Sequence, residues 1–92
     1  MEPELTAICE ELSRQFIAAE IRIGLAFAKV AARAYTEGNP EPGHKARANA
    51  RQAYAEAERR LQEGEARGRG MAVLRERLRD FRAALDDLAR EA

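Results

Sequence analysis

Cysteine, histidine and β-branched residues are all scarce in this chain, and each scarcity excludes something. The single cysteine, Cys9, leaves no intrachain disulfide to staple the fold, and a reducing cytoplasm suits such a sequence. The single histidine, His44, has neither a second histidine nor a cysteine pair to complete a zinc site. The β-branched residues are Ile8, Ile17, Ile21, Ile23, Val30, Val73, Thr6 and Thr36, too few for a sheet. Net charge is also missing: 16 basic residues balance 16 acidic ones, without the basic excess of a nucleic-acid binder. Long apolar runs are absent too. The most apolar stretch, Phe16 to Tyr35, carries Glu20, Arg22, Lys29 and Arg33, which excludes a comfortable membrane span. The start, Met1-Glu2-Pro3-Glu4, is acidic where a signal peptide is basic. No nucleotide loop or paired-carboxylate di-metal motif occurs. The expectation is a cytoplasmic protein that is not an enzyme and holds no cofactor.

What the chain does contain is Ala, Leu, Glu and Arg, all strong helix formers. A first helix is expected over about 4–36, with Pro3 suited to its first position. Leu5, Cys9, Leu12, Phe16, Ala19, Ile23, Phe27, Val30 and Ala34 recur every three or four residues and form one apolar stripe. Ile8, Ile17, Ile21, Leu25, Ala28, Ala32 and Tyr35 form a second stripe beside it. Gly24 costs this helix about 1 kcal/mol relative to Ala, and its expected use is to admit the backbone of another element.

The first break, Glu37 to Gly43, offers Gly38 as a left-handed C-cap, Asn39 as the next N-cap and Pro40 as first helical residue. So tight a connection makes the flanking helices antiparallel neighbours. A second helix follows over about 41–63, with Ala46, Ala50, Ala53, Ala57 and Leu61 along one side and Tyr54 beside them. Gly64, Gly68 and Gly70 then predict a loop. The alternative is one helix from Pro40 to Glu91, since Gly64 and Gly68 fall in phase with Leu61 and Met71. A third helix over about 71–91 carries a coiled-coil seam of Met71, Leu74, Leu78, Phe81, Leu85, Leu88 and Ala92. The fold class is therefore all-α: an antiparallel three-helix bundle with a long first helix.

Length then argues for an oligomer. The first helix spans roughly 50 Å, the others roughly 35 and 32 Å, so its first turns outrun both companions. Leu5, Ile8, Cys9 and Leu12 sit on that overhang, and burying one such side chain stabilises by about 1.5–3 kcal/mol. A second copy is the expected cover, as a symmetric dimer, with Leu5, Ile8, Cys9, Leu12, Phe16, Ile17, Ile21 and Leu25 as the self-association set. The alternative is a monomer whose first turns fray. Ala46, Ala50, Ala53, Tyr54 and Tyr35 are the expected lining of a groove for another protein's helix. His44 reads as plain surface, and Cys9 as a small buried apolar residue or a disulfide across a dimer axis. The segment from Arg67 to Arg82 is locally basic, and Arg67, Arg69, Arg75, Arg79 and Arg82 are its candidate anion contacts. The acidic start (Glu2, Glu4, Glu10 and Glu11) is a candidate partner for that segment across two chains.

The stretch Ile23 to Leu61 resembles a tetratricopeptide-type helical hairpin. Ala34-Tyr35 followed by Gly38-Asn39 is similar to the end of that repeat's first helix, and Ala50 to Tyr54 to its second. Two prolines in the turn, a longer first helix and the lack of a second repeat set the chain apart, and a lone repeat cannot bury its own face. Through its G-L-A-F-A-K-V-A and A-R-Q-A-Y segments the whole chain is also similar to small bacterial helical proteins, a likeness that implies no activity. The expected function is a helical oligomerisation or protein-interaction module. The alternative is an Arg-mediated binder of nucleic acid or an anionic ligand.

Overall fold

The computed structural model describes residues 3–91. Met1, Glu2 and Ala92, the last of them assigned above to the third helix's seam, lie outside the described residues. Three helices follow in order: α1 (Pro3–Thr36), α2 (Pro40–Ala66) and α3 (Ala72–Glu91). They pack as a rod of 54 × 17 × 15 Å. Its radius of gyration, 15.3 Å, exceeds the roughly 12 Å of a compact domain of this length. The excess follows from α1, whose 34 residues run the length of the molecule.

Both turns are built the same way. At the first, Gly38 takes a φ of 77°; its N–H donates to the Tyr35 carbonyl at 3.1 Å and the Asn39 N–H to the Ala34 carbonyl at 2.8 Å. This is a Schellman closure with glycine in the left-handed position. Asn39 occupies the N-cap of α2 without a side-chain capping bond. Pro40, which has no N–H to satisfy, follows it. The second turn repeats the closure on Gly68, whose φ is 72°: the Gly68 N–H donates to the Glu65 carbonyl and the Arg69 N–H to the Gly64 carbonyl, both at 3.0 Å. The loop thus begins after Ala66, later than the glycine count predicts, and it divides Pro40–Glu91 into two helices. Gly64 stays helical because it continues the inner line of α2, where Met71 packs over the space a side chain would fill.

The interior is a layer of small residues closed by a few large ones. α1 contributes Ile17, Ile21, Ala28, Ala31 and Ala34; α2 contributes Ala46, Ala50, Ala53, Ala57 and Leu61; Met71 and α3 contribute Leu74, Leu78, Phe81 and Leu88. Gly24 serves a purpose other than the expected one. A Cβ there would overlap the ring of Phe81 and lie 3.1 Å from the Ala53 Cβ. The glycine admits an aromatic ring, not a backbone, and Phe81 is sealed against it with no exposed surface.

Polar contacts join the elements at the ends of the rod. Across the first turn the Tyr35 hydroxyl and His44 Nδ1 lie 2.8 Å apart, with Gly43 flush against the tyrosine ring. At the other end Arg75 of α3 reaches back to α2, donating to Glu58 at 2.8 Å and to Glu65. Arg75 holds the Glu65 carboxyl below its ordinary value of 4.5 chiefly through that hydrogen bond, with burial opposing. Arg59 and Arg60 do the same for Glu56. A carboxylate whose folded value is depressed stabilises fully above its unfolded value, and that stability is lost as pH falls. The melting temperature is therefore expected to hold from neutral pH down to about pH 4.5 and to fall below it. Glu65→Gln should flatten part of that decline in a circular-dichroism melt series.

Candidate interaction surface

Helical periodicity gives α1 two apolar stripes, and the structure turns one inward and leaves the other bare. The inner stripe runs through Ile17, Ile21, Gly24, Ala28 and Ala31. It is the narrower in side-chain bulk, and only small residues let α1 lie close against the alanines of α2. The outer stripe is Leu5, Cys9, Leu12, Phe16, Ala19, Ile23, Ala26 and Val30, with alternating steps of four and three throughout. At about 100° per residue the two stripes lie roughly 130° apart on the helix. Leu5, Leu12, Ile23 and Val30 are each more than half exposed. Cys9 is exposed as well, not the buried residue expected of it. Phe16 retains 40% exposure, with the Arg60 guanidinium stacked 3.9 Å from its ring centre.

An apolar surface of heptad spacing along some 26 residues, roughly 38 Å at 1.5 Å per residue, is the pattern of a helix that packs on two sides. Single exposed leucines are ordinary in a soluble protein; an unbroken file of them is not. Beside the outer stripe runs the groove between α1 and α2, where Ile23 and Phe27 of α1 face Asn49, Gln52, Glu56 and Arg59 of α2, so the apolar surface ends at a polar wall.

Of the expected self-association set, Leu5, Ile8, Cys9, Leu12 and Phe16 are exposed. Ile17 and Ile21 are core residues and present nothing to a second chain, and Leu25 is half-buried against that core. Sequence reasoning left Ile23, Ala26 and Val30 out of the set, although the alternating four-and-three spacing carries straight on from Phe16 to them. It also put Phe27 and Ala34 on this stripe, whereas Phe27 is half-buried against the core and Ala34 is buried.

The expected groove on α2 is not open. Ala46, Ala50 and Ala53 are buried beneath the chain's own α1 and α3. Tyr54 stands edge-on to Phe81, ring centres 5.6 Å apart, and Tyr35 is held by His44. A partner helix has no room there because Phe81 and the inner stripe of α1 already fill it.

The basic segment divides. Arg75 is committed to Glu58 and Glu65, and Arg69 lies 3.8 Å from Glu10. The acidic start and the Arg-rich segment therefore meet within one chain, at that pair. Arg67, Arg79 and Arg82 are exposed. Arg79 and Arg82 line the α2–α3 groove with Tyr54, and Arg47 and Arg51, outside the candidate set, join Arg82 and Asp86 farther along it.

Among the described residues no group of three His, Cys, Asp or Glu side chains is placed to hold a metal, and no helix is long and apolar enough to cross a membrane. No protein-family model matches the chain, and no curated protein or solved structure is significantly similar to it.

Proposed function

We propose that the chain is a non-enzymatic helical module that associates with other helices, its own copies foremost, through the outward face of α1. One observation carries this reading: Leu5, Leu12, Phe16, Ile23 and Val30 stand exposed along one stripe of α1, with Arg60 over the Phe16 ring the contact their own chain gives them. The likeness of the α1–α2 hairpin to a tetratricopeptide-type hairpin agrees with it, since such hairpins complete their cores with neighbours. Association couples folding to concentration, because anything that binds the folded chain alone stabilises it by mass action. The melting temperature is expected to rise by several degrees over a roughly hundredfold increase in protein concentration. A melting temperature independent of concentration would contradict the proposal.

A second reading rests on the α2–α3 groove. Arg47, Arg51, Arg79 and Arg82 gather around Tyr54 from two helices, with Asp86 and Glu58 the acidic residues of that lining, Glu58 already paired to Arg75. Phosphate oxygens are the natural ligands of such a set. Salt-sensitive retention of a labelled oligonucleotide, lost in Arg51→Ala/Arg82→Ala, would support it. Binding unchanged in that variant would remove it.

A further inference from the structure

We infer that the occupant of the outer α1 stripe is the same stripe of a second copy, laid antiparallel and in one particular register. This rests on the association proposed above and adds its geometry.

Size complementarity sets the register. In an antiparallel pair of heptad stripes, residues of one seam position face those of the other. The stripe divides into Cys9, Phe16, Ile23 and Val30 on one position and Leu5, Leu12, Ala19 and Ala26 on the other. One alignment overlaps the whole stripe: Leu5 of one copy faces Val30 of the other, Cys9 faces Ala26, Leu12 faces Ile23 and Phe16 faces Ala19. The largest side chain meets an alanine, the cysteine meets an alanine, and the branched residues meet each other. The Phe16–Ala19 and branched layers are of similar bulk, as interiors require, and the Cys9–Ala26 layers are the small ones. The parallel arrangement in register stacks Phe16 on Phe16 beside a layer of Ala19 on Ala19. That crowds one level and leaves a void at the next.

Charge points the same way. On one edge of the stripe, Glu4 and Glu11 lie toward the start of α1 and Arg22 and Lys29 toward its end. Antiparallel packing sets that edge against itself reversed, so Glu4 comes within two residues, about 3 Å along the axis, of Lys29 of the other copy, and Glu11 equally near to Arg22. Parallel packing keeps glutamates level with glutamates. Opposed potentials of this sort choose between orientations. The overhang is accounted for as well. The turn after α2 reaches α1 near Glu10, where Arg69 lies, so the α1 residues before Glu10 stand clear of α2. In the antiparallel pair those turns lie on the far half of the other α1, whose outward face is bare.

Cysteine cross-linking tests the register. Wild type carries Cys9 alone, and the proposed register holds the two Cys9 residues about 26 Å apart along the helix axis, far beyond the roughly 7 Å that a disulfide spans. Under mild oxidation with diamide, wild type is expected to give no disulfide-linked dimer. Ala26→Cys places a new thiol in the Cys9 layer and is expected to convert most of the chain to a reducible dimer. Ala26→Cys/Cys9→Ser is expected to give none. A disulfide dimer from wild type, or from Ala26→Cys/Cys9→Ser, overturns the register in favour of parallel packing. Failure of Ala26→Cys to cross-link, in a sample whose molar mass is dimeric, overturns it outright. A monomeric mass would instead defeat the association itself.

Discussion

Leu12→Glu/Ile23→Glu is expected to leave each chain helical and to abolish its association. Both positions are more than half exposed in the single chain, and glutamate is a good helix former, so the three-helix fold keeps its stability at high dilution. In the assembled state these two residues form one layer and its symmetry mate. The substitution removes four branched side chains from the interface, each worth about 1.5–3 kcal/mol of burial, and sets carboxylates against one another in their place. The dissociation constant should rise by more than about a thousandfold, read by sedimentation over a concentration series. Val73 supplies the control. It is 63% exposed and apolar but belongs to α3 and not to the stripe, and Val73→Glu should leave association as it was.

Phe81→Ala is expected to be the most damaging single substitution to the fold. The ring is fully enclosed and is accommodated by Gly24 and Ala53. These neighbours have no side-chain length with which to close the space the ring would vacate. A cavity that cannot collapse puts the loss in the upper part of the usual range, about 3–5 kcal/mol. A chain of 92 residues has roughly 5–14 kcal/mol in total, so a large share of its stability goes. A urea titration should show the midpoint falling steeply. An unfolding free energy within about 1 kcal/mol of wild type would mean that the ring is not the keystone its packing implies.

The two effects separate the faces of α1, and that separation is where sequence reading ran short. Three helices, their order, the turn at Gly38 and the seam of α3 follow from periodicity and punctuation, because each depends on neighbouring residues alone. Which apolar stripe of α1 faces inward depends on what α2 presents. Ile17 and Ile21 are as apolar as Phe16 and Ile23, so hydrophobicity cannot rank them. The deciding feature is volume: Gly24, Ala28 and Ala31 continue the line of Ile17 and Ile21, and only that line can approach the alanine face of α2. The end of α2 was misjudged for a related reason. Gly64 looks like a breaker in isolation, yet Met71 folds over it and uses the missing side chain as a seat. The alanines assigned to a partner's groove turned out to be the chain's own interior, since an alanine face long enough to dock a helix had one at hand in α1. The overhang of α1 was legible from helix lengths alone, and Ile23 and Val30 from their spacing, while the exposure of that stripe beyond the overhang needed the packing.

The molar mass of the wild-type chain in solution tests the central claim most directly. Light scattering at tens of micromolar should return twice the 10.3 kDa of one chain, and dilution should bring the value down toward that of a single chain. A mass of one chain at every concentration would mean that the outer face of α1 stays in water, and the account would be wrong at its root.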